Sequence, residues 1–418
     1  MRRSVRVGAG VVGVVALAVA ALLVDGDGMG RPTEAGGSAS PALAGDAPGG
    51  PVVESTAVRA AGLPGGLAGL DRVPTNVELE DKRELDRWTR QFEAAVAERV
   101  AMLLERGDAG SLYEAYLLMP GSGAFRELAG DGEGPAEAFE QYSRDRSSIL
   151  QRARGLAPDD VHLALLAALE CGVAYSGCDR ASAIEDLLRL QPDNALGALF
   201  ALDAALEAGD RAAIDRWLAR AADADYYDMG YTRTVGDYAR AFASVPSPPL
   251  DPHVFRRSMA WSGLESHDAA AADDPRDLHA LIVAGAHPLP STVGLSGLCS
   301  ARRVSLGNRA NCHRIWRHMA ASDTALAQMM SLSHLVQMTG DATGRRHWQE
   351  RLRHFSWITQ EASRFLDMQA LREQSRLGEL QAWERLMQRR GITMPAGWLP
   401  DNPHYRSLIQ TGRPPPDG

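Results

Sequence analysis

The stretch Leu188–Asp210, LRLQPDNALGALFALDAALEAGD, decides the reading of this chain because Arg154–Glu170, RGLAPDDVHLALLAALE, has already said nearly the same thing. In each, a leucine stands two residues before a proline, two turn-forming polar residues follow, and an Ala/Leu-rich run comes next. Pro158 and Pro192 are 34 residues apart. Self-similarity at such a period marks a supersecondary unit that buries its apolar face by stacking on its neighbour. The sequence therefore predicts stacked helix hairpins, with few strand signals anywhere from Glu78 onward.

Thirty-four residues is the period of the tetratricopeptide repeat, and the region resembles that family. The family closes each repeat with a proline, which Pro158 and Pro192 match, and places small residues where paired helices approach, as Ala164, Ala168, Ala198 and Ala201 would. The spacing holds from Leu156 to Val245, the aromatic and Gly-Tyr signature of the first helix is missing, and the next proline, due at 226, is Tyr226. The resemblance implies an α-solenoid with a concave groove for a protein or peptide, lined by the first helices through His162, Leu166, Phe200 and Asp203. Core packing is the expected duty of the apolar two. The run Cys171–Asp210 is also similar to uncharacterised exported proteins of Xanthomonas-like bacteria, a resemblance that supplies no activity.

A second echo extends the hairpin reading. Gly209-Asp210 precedes Trp217 and Gly340-Asp341 precedes Trp348, in both cases seven residues after the aspartate. A glycine ending one helix, an aspartate capping the next and a tryptophan packing back across the pair account for both. Apolar residues recur at helical spacing at Leu85, Trp88, Phe92, Val96 and Val100, again at Trp348, Leu352, Phe355, Ala362 and Phe365, and at Leu377, Leu380, Trp383 and Met387. Gly107-Asp108 separates two helices, another is expected from about Ala136 to Arg154, and one from Leu278 to Ala286. The stretch SVPSPPLDP, Ser244–Pro252, divides a helical array at 77–245 from a C-terminal helical region at 253–410, with a frayed tail at 411–418.

The N-terminus places the body outside the cytoplasm. Three arginines in MRRSVR precede an uncharged apolar run, Val7–Val24, whose length fits either a cleaved signal peptide or an uncleaved anchor at residues 1–24. Residues 25–76, rich in Gly, Ala and Pro, are expected to be a disordered tether. The predicted location is the periplasmic side of a bacterial cell envelope, either tethered to the inner membrane through residues 7–24 or secreted. Four cysteines agree with export. Cys171 with Cys178 and Cys299 with Cys312 form two local couples, and short loops close at least entropic cost, so local disulfides are favoured.

Charge narrows the functions further. Residues 1–250 carry 37 acids against 24 bases, and 251–418 carry 16 against 20, so the formal net charge of −9 is gathered in the first half. No dominant basic surface is available for phosphate, which disfavours nucleic acid as a partner. A single lysine, Lys82, accompanies 43 arginines. None of the common nucleotide, serine-hydrolase or zinc-protease motifs occurs, and the Cys299, Cys312, His313, His318 group has no metal-ligand spacing, so no cofactor or metal is expected.

One enzymatic echo remains. Gly263-Leu264-Glu265-Ser266 resembles the catalytic Glu-Ser of lytic transglycosylases, which are exported and largely helical, and in that alternative Glu265 is the general acid of an envelope enzyme acting on peptidoglycan or another glycan. The Gly-Leu-Met-Gln segment expected after it is replaced by DDPRDLHALIVAGAHP. The favoured function is thus an exported helical-repeat protein that binds a protein or peptide, with no specific activity deducible. An assembly factor without a separable ligand is the third class.

Overall fold

The computed structural model describes residues 76–121, 136–171, 178–261 and 275–415, less positions 286, 288, 289, 291, 292 and 303. The apolar run Val7–Val24, nearly all of the tether and Glu265 lie outside the described residues. Among those described, the chain is all-helical without a β-strand, and no helix is long and apolar enough to cross a membrane.

Seventeen α-helices follow one another among the described residues. The first half holds α1 (Asn76–Arg106), α2 (Ala109–Leu118), α3 (Ala136–Leu156), α4 (Val161–Glu170), α5 (Arg180–Leu190), α6 (Ala195–Ala208), α7 (Arg211–Asp223) and α8 (Tyr231–Ala243). After the Pro-rich stretch come α9 (Pro252–Trp261), α10 (Pro275–Gly285) and α11 (Val293–Leu298). The C-terminal part comprises α12 (Arg309–Ala320), α13 (Ala325–Met338), α14 (Ala342–Phe365), α15 (Met368–Leu377), α16 (Glu379–Arg390) and α17 (Pro403–Thr411).

The two sequence echoes become α4–α5 and α6–α7. A helix that is apolar all round belongs in an interior. Accordingly, α4 is buried from His162 to Glu170 and α6 from Ala195 to Leu202, while the amphipathic α5 and α7 flank them. The helix starts share one device. Asp160, Asn194 and Asp210 sit in extended backbone and accept hydrogen bonds from first-turn amides, meeting donors the helix leaves open. Gly209, at φ 67°, takes the left-handed conformation that ends α6.

Arginines late in α5 and α7 reach back to carbonyls earlier in the chain. Arg189 Nη2 donates to the Pro158 carbonyl at 3.2 Å, and Arg220 Nη2 to the Leu188 carbonyl at 3.5 Å. Asn194 does more than cap. Buried to 2% exposure, it accepts from the amides of Leu196 and Asp228 at 3.1 Å each and donates to the Asp228 carbonyl at 2.8 Å and Gln191 Oε1 at 3.0 Å. One donor and the acceptor of a single amide thereby bind the start of α6 to the loop that follows α7, while the other donor holds Gln191.

The stretch 244–252 does not divide the core. One hydrophobic cluster runs from Trp88 to Leu408 and takes in helices from both sides of it. Helix α8 lies at the junction, packed on α2, α10 and α15. Its Gly236 permits close approach to α15, since a Cβ there would stand 3.1 Å from the Ser375 carbonyl. The opposite charges of the two halves meet at the surface where α7 packs on α12: Arg314 pairs with Asp223 at 3.0 Å, and Asn308 Nδ2 donates to Asp215 at 3.2 Å.

Both local disulfides, Cys171–Cys178 and Cys299–Cys312, are formed. Two expectations need revision. The stripe from Leu377 to Met387 spans two helices, because Gly378, at φ 81°, turns the chain between α15 and α16. Gly340 does not end α13: the helix stops when Thr339 turns extended, and Asp341 then caps α14 through the Gly344 amide as expected.

Two stability predictions follow from these contacts. Asn194→Ala strips four hydrogen bonds from a buried site and should lower the unfolding free energy by about 2–4 kcal/mol, against about 1 kcal/mol for the simple cap change Asp210→Ala, read by urea denaturation. Replacing Cys299 and Cys312 together by alanine opens a short loop and should cost about 2–4 kcal/mol in the same assay.

Candidate functional site

The sequence-predicted groove residues are placed apart and mostly inside. His162, Leu166 and Phe200 are 3%, 0% and 4% exposed. Leu166 and Phe200 are core members, as the Ala/Leu character of their helices requires. The side of the first helices that would face a ligand is covered by the chain itself. Tyr113 of α2 stacks edge-on against His162 with ring centres 5.8 Å apart, and Leu165 and His162 close on Gly230 before α8. Over α6, the short α11 lies so near that a Cβ on Gly294 would stand 2.6 Å from Asp203 Oδ1. Asp203 remains partly exposed, and burial pushes its carboxyl up to about 6 against the pull of Arg180. The four residues therefore form no common open surface.

His162 instead belongs to a polar knot that the sequence did not announce. Helices α2, α3, α4 and α8 each turn polar side chains into their shared interior. Arg146 Nη1 stands 2.6 Å from Glu170 Oε1, and these side chains are only 11% and 7% exposed. Tyr116 donates its hydroxyl to the same Glu170 oxygen at 2.6 Å, and the guanidinium lies 4.3 Å from the centre of the Tyr116 ring. Arg146 Nη2 donates to the Tyr238 hydroxyl at 3.1 Å, and that hydroxyl is 3.4 Å from His287 Nδ1. The Tyr238 hydroxyl thus bridges the Arg146 guanidinium and the His287 ring.

Next to Tyr238 on α8, Asp237 gathers a second group. It accepts from the Tyr113 hydroxyl at 2.5 Å and pairs with Arg240. His162 Nε2 lies 3.3 Å from its Oδ2, off the line a hydrogen bond requires.

Electrostatics keep the charges of this interior fixed. Burial works against the Asp237 carboxylate, but the nearby His162 ring, the bond from Tyr113 and the Arg240 charge outweigh it and hold the group below the usual carboxylate range. Burial opposes the Arg146 charge too, yet Tyr116, Tyr238 and Glu170 around it raise its basicity further. Burial, with the Arg146 charge behind it, keeps His287 well below the ordinary imidazole range and so neutral. The Tyr116 and Tyr238 phenols are driven up by burial.

A general acid or base must reach a proton on a substrate. These groups reach one another instead, and what the arrangement does chemically is fix four helices by directional bonds. Among the described residues no group of three or more His, Cys, Asp or Glu side chains is placed to hold a metal ion.

The polar feature that does face outward is at the edge where the hairpin loops gather. Tyr226, at the position where the repeat would have its proline, is 41% exposed. Its backbone pairs with that of Asn194, and its amide and that of Asp225 both donate to the Asp193 carbonyl, at 3.3 and 3.0 Å. Burial raises the Tyr226 phenol, and the carboxylates of Asp228, Asp193 and Asp225 add to it, which puts three negative charges around one exposed ring.

Some of this was readable in advance. Arg146 falls on the apolar stripe of Tyr142, Ile149, Leu150 and Ala153, and Glu170 continues the inward face set by Leu163, Leu166 and Ala167. A charge on a core-facing register demands a partner. Nothing local pointed to Tyr238 or His287, whose meeting depends on tertiary packing.

No protein-family model, curated protein or solved structure matches this chain.

Removing one member of the buried pair leaves a bare charge. Arg146→Met and Glu170→Leu should each cost about 3–5 kcal/mol, while the double variant should cost clearly less than their sum, in a double-mutant cycle by chemical denaturation.

Proposed function

We propose that this protein is an exported scaffold of tetratricopeptide-like helix hairpins that binds a protein or peptide segment in the cell envelope, held at the membrane through residues 7–24. Asp160 and Asn194 cap α4 and α6 at positions 34 residues apart, and the Asn194 clamp reaches Asp228 a further 34 residues on; both support the repeat reading. Repeat arrays of this kind serve as extended binding surfaces.

The observation that carries the binding step is the outward edge at Tyr226. An exposed aromatic ring among Asp193, Asp225 and Asp228 suits a cationic segment, whose Lys or Arg side chain lies over the ring while carboxylates take its charge. The inner face of the first helices is filled by α2, α8 and α11, so the loop edge takes the role that the sequence reading gave to the groove. The same acidic character opposes nucleic acid as the ligand.

Crosslinking the full-length tagged chain in its own envelope fraction, with mass spectrometry of what is joined to it, tests this. Crosslinks should map to the 193–228 edge, and a synthetic peptide from the joined partner should lose at least about tenfold in affinity for the Tyr226→Ala, Asp193→Asn chain. Unchanged affinity in a variant with native far-UV circular dichroism would refute the assignment.

A further inference from the structure

Away from the loop edge, a pair of carboxylates occupies the seam between α8 and the C-terminal helices. Asp323 lies in the loop before α13, and Glu379 opens α16. Glu379 Oε2 accepts from the Ala325 amide at 2.7 Å, supplying the cap that Thr324 does not make with its own side chain. The Glu379 amide donates to the Asp323 carbonyl at 3.1 Å. From the array side, Thr232 of α8 donates its hydroxyl to Asp323 Oδ2. Gly378 closes the packing, for a Cβ there would meet the Asp323 side chain at 2.7 Å and its carbonyl at 3.0 Å. One carboxylate thus joins α8 to the loop, and the other joins that loop to α16.

The groups that act on the pair are of one sign. The charge of Asp323 acts on Glu379, and that of Asp228, in the loop before α8, acts on Asp323. The Tyr231 phenol of α8 is close to both carboxylates and is itself raised by burial, then by their charge. The hydrogen bonds to Asp323 come from Thr232, Ser322 and its own backbone, all uncharged donors. Neither carboxylate has an ion-pair partner among the described residues.

We propose that the Asp323–Glu379 pair is an acid-strengthened latch between the hairpin array and the C-terminal helices, tightening when Glu379 takes up a proton and loosening when it gives the proton up. Protonation ends the repulsion from Asp323 while leaving Oε2 free to accept from the Ala325 amide, so the bonds of the seam survive and the opposing charge disappears.

Burial, and then the charge of Asp323, push the Glu379 carboxyl from its ordinary 4.5 up to about 7. Between those values the folded chain keeps a proton that the unfolded chain has lost. The latch contribution is therefore fully present below pH 4.5 and is lost as pH rises to about 7. Asp323 is raised by burial as well and acts in the same direction. Asp237 is held low and acts in the opposite direction, so the whole-protein pH profile mixes both, and a difference between variants isolates the latch.

Glu379→Gln keeps an acceptor for Ala325 and removes the titrating proton. Its melting temperature should exceed that of the unaltered chain by roughly 3 °C or more at pH 7.5, with the gap closing by pH 4.5. Asp323→Asn should move the midpoint of the Glu379 titration downward. In the unaltered chain, a carbon-13 NMR titration of the glutamate carboxyls should show one group with a midpoint near pH 7. A pH-independent gap for Glu379→Gln, or no glutamate titrating above pH 6, would overturn the latch. The NMR result stands even where a variant does not fold.

Discussion

Arg146 and Glu170 bring opposite charges into a space that water scarcely enters, and the rest of the fold is arranged around meeting them. A buried ion pair contributes little net stability compared with well-packed apolar side chains, but it is unforgiving of rearrangement. Every helix that supplies a partner is held in register by that demand. Tyr116 brings α2, Arg146 brings α3, Glu170 ends α4, and Tyr238 brings α8. The apolar core around the knot would tolerate sliding and repacking. The knot, with its directional bonds, favours one arrangement.

Helix α8 carries most of these demands. Along 13 residues it presents Thr232 to the C-terminal loop, Gly236 to the backbone of α15, Asp237 to Tyr113, Tyr238 to Arg146 and Phe242 to the aromatic cluster of Phe92 and His279. This explains why an array of hairpins and a separate-looking C-terminal region share one core. It also explains the closed inner face. Where a repeat array would hold a ligand along its first helices, this chain has set its own α2, α8 and α11, leaving the acidic loop edge around Tyr226 facing out.

Helix positions were largely legible because capping and periodicity are local. Asp108, Asp210 and Asp341 start helices where the sequence predicts, Gly209 ends one, and both disulfides close the shortest loops available. The break at Gly378 was missed because the apolar stripe continues across it, and only the positive φ interrupts the helix. The groove assignment erred for a different reason. Hairpin spacing shows which face of α4 and α6 is apolar, but it is silent on whether that face meets a ligand or another part of the chain. Arg146 and Glu170 stand as charges on inward registers, a signal the sequence reading left unused, whereas Tyr238, His287 and Glu379 gain their surroundings from elements far away in sequence.

Native-state hydrogen exchange along α8 tests the central claim most directly. If this helix is the element on which the others close, the amides of Val235, Tyr238 and Phe242 should exchange only through global unfolding, with the same free energy as the most protected amides of α4 and α6. Exchange of α8 at a clearly lower free energy, while α4 and α6 stay protected, would show that the core stands without it and would contradict the account.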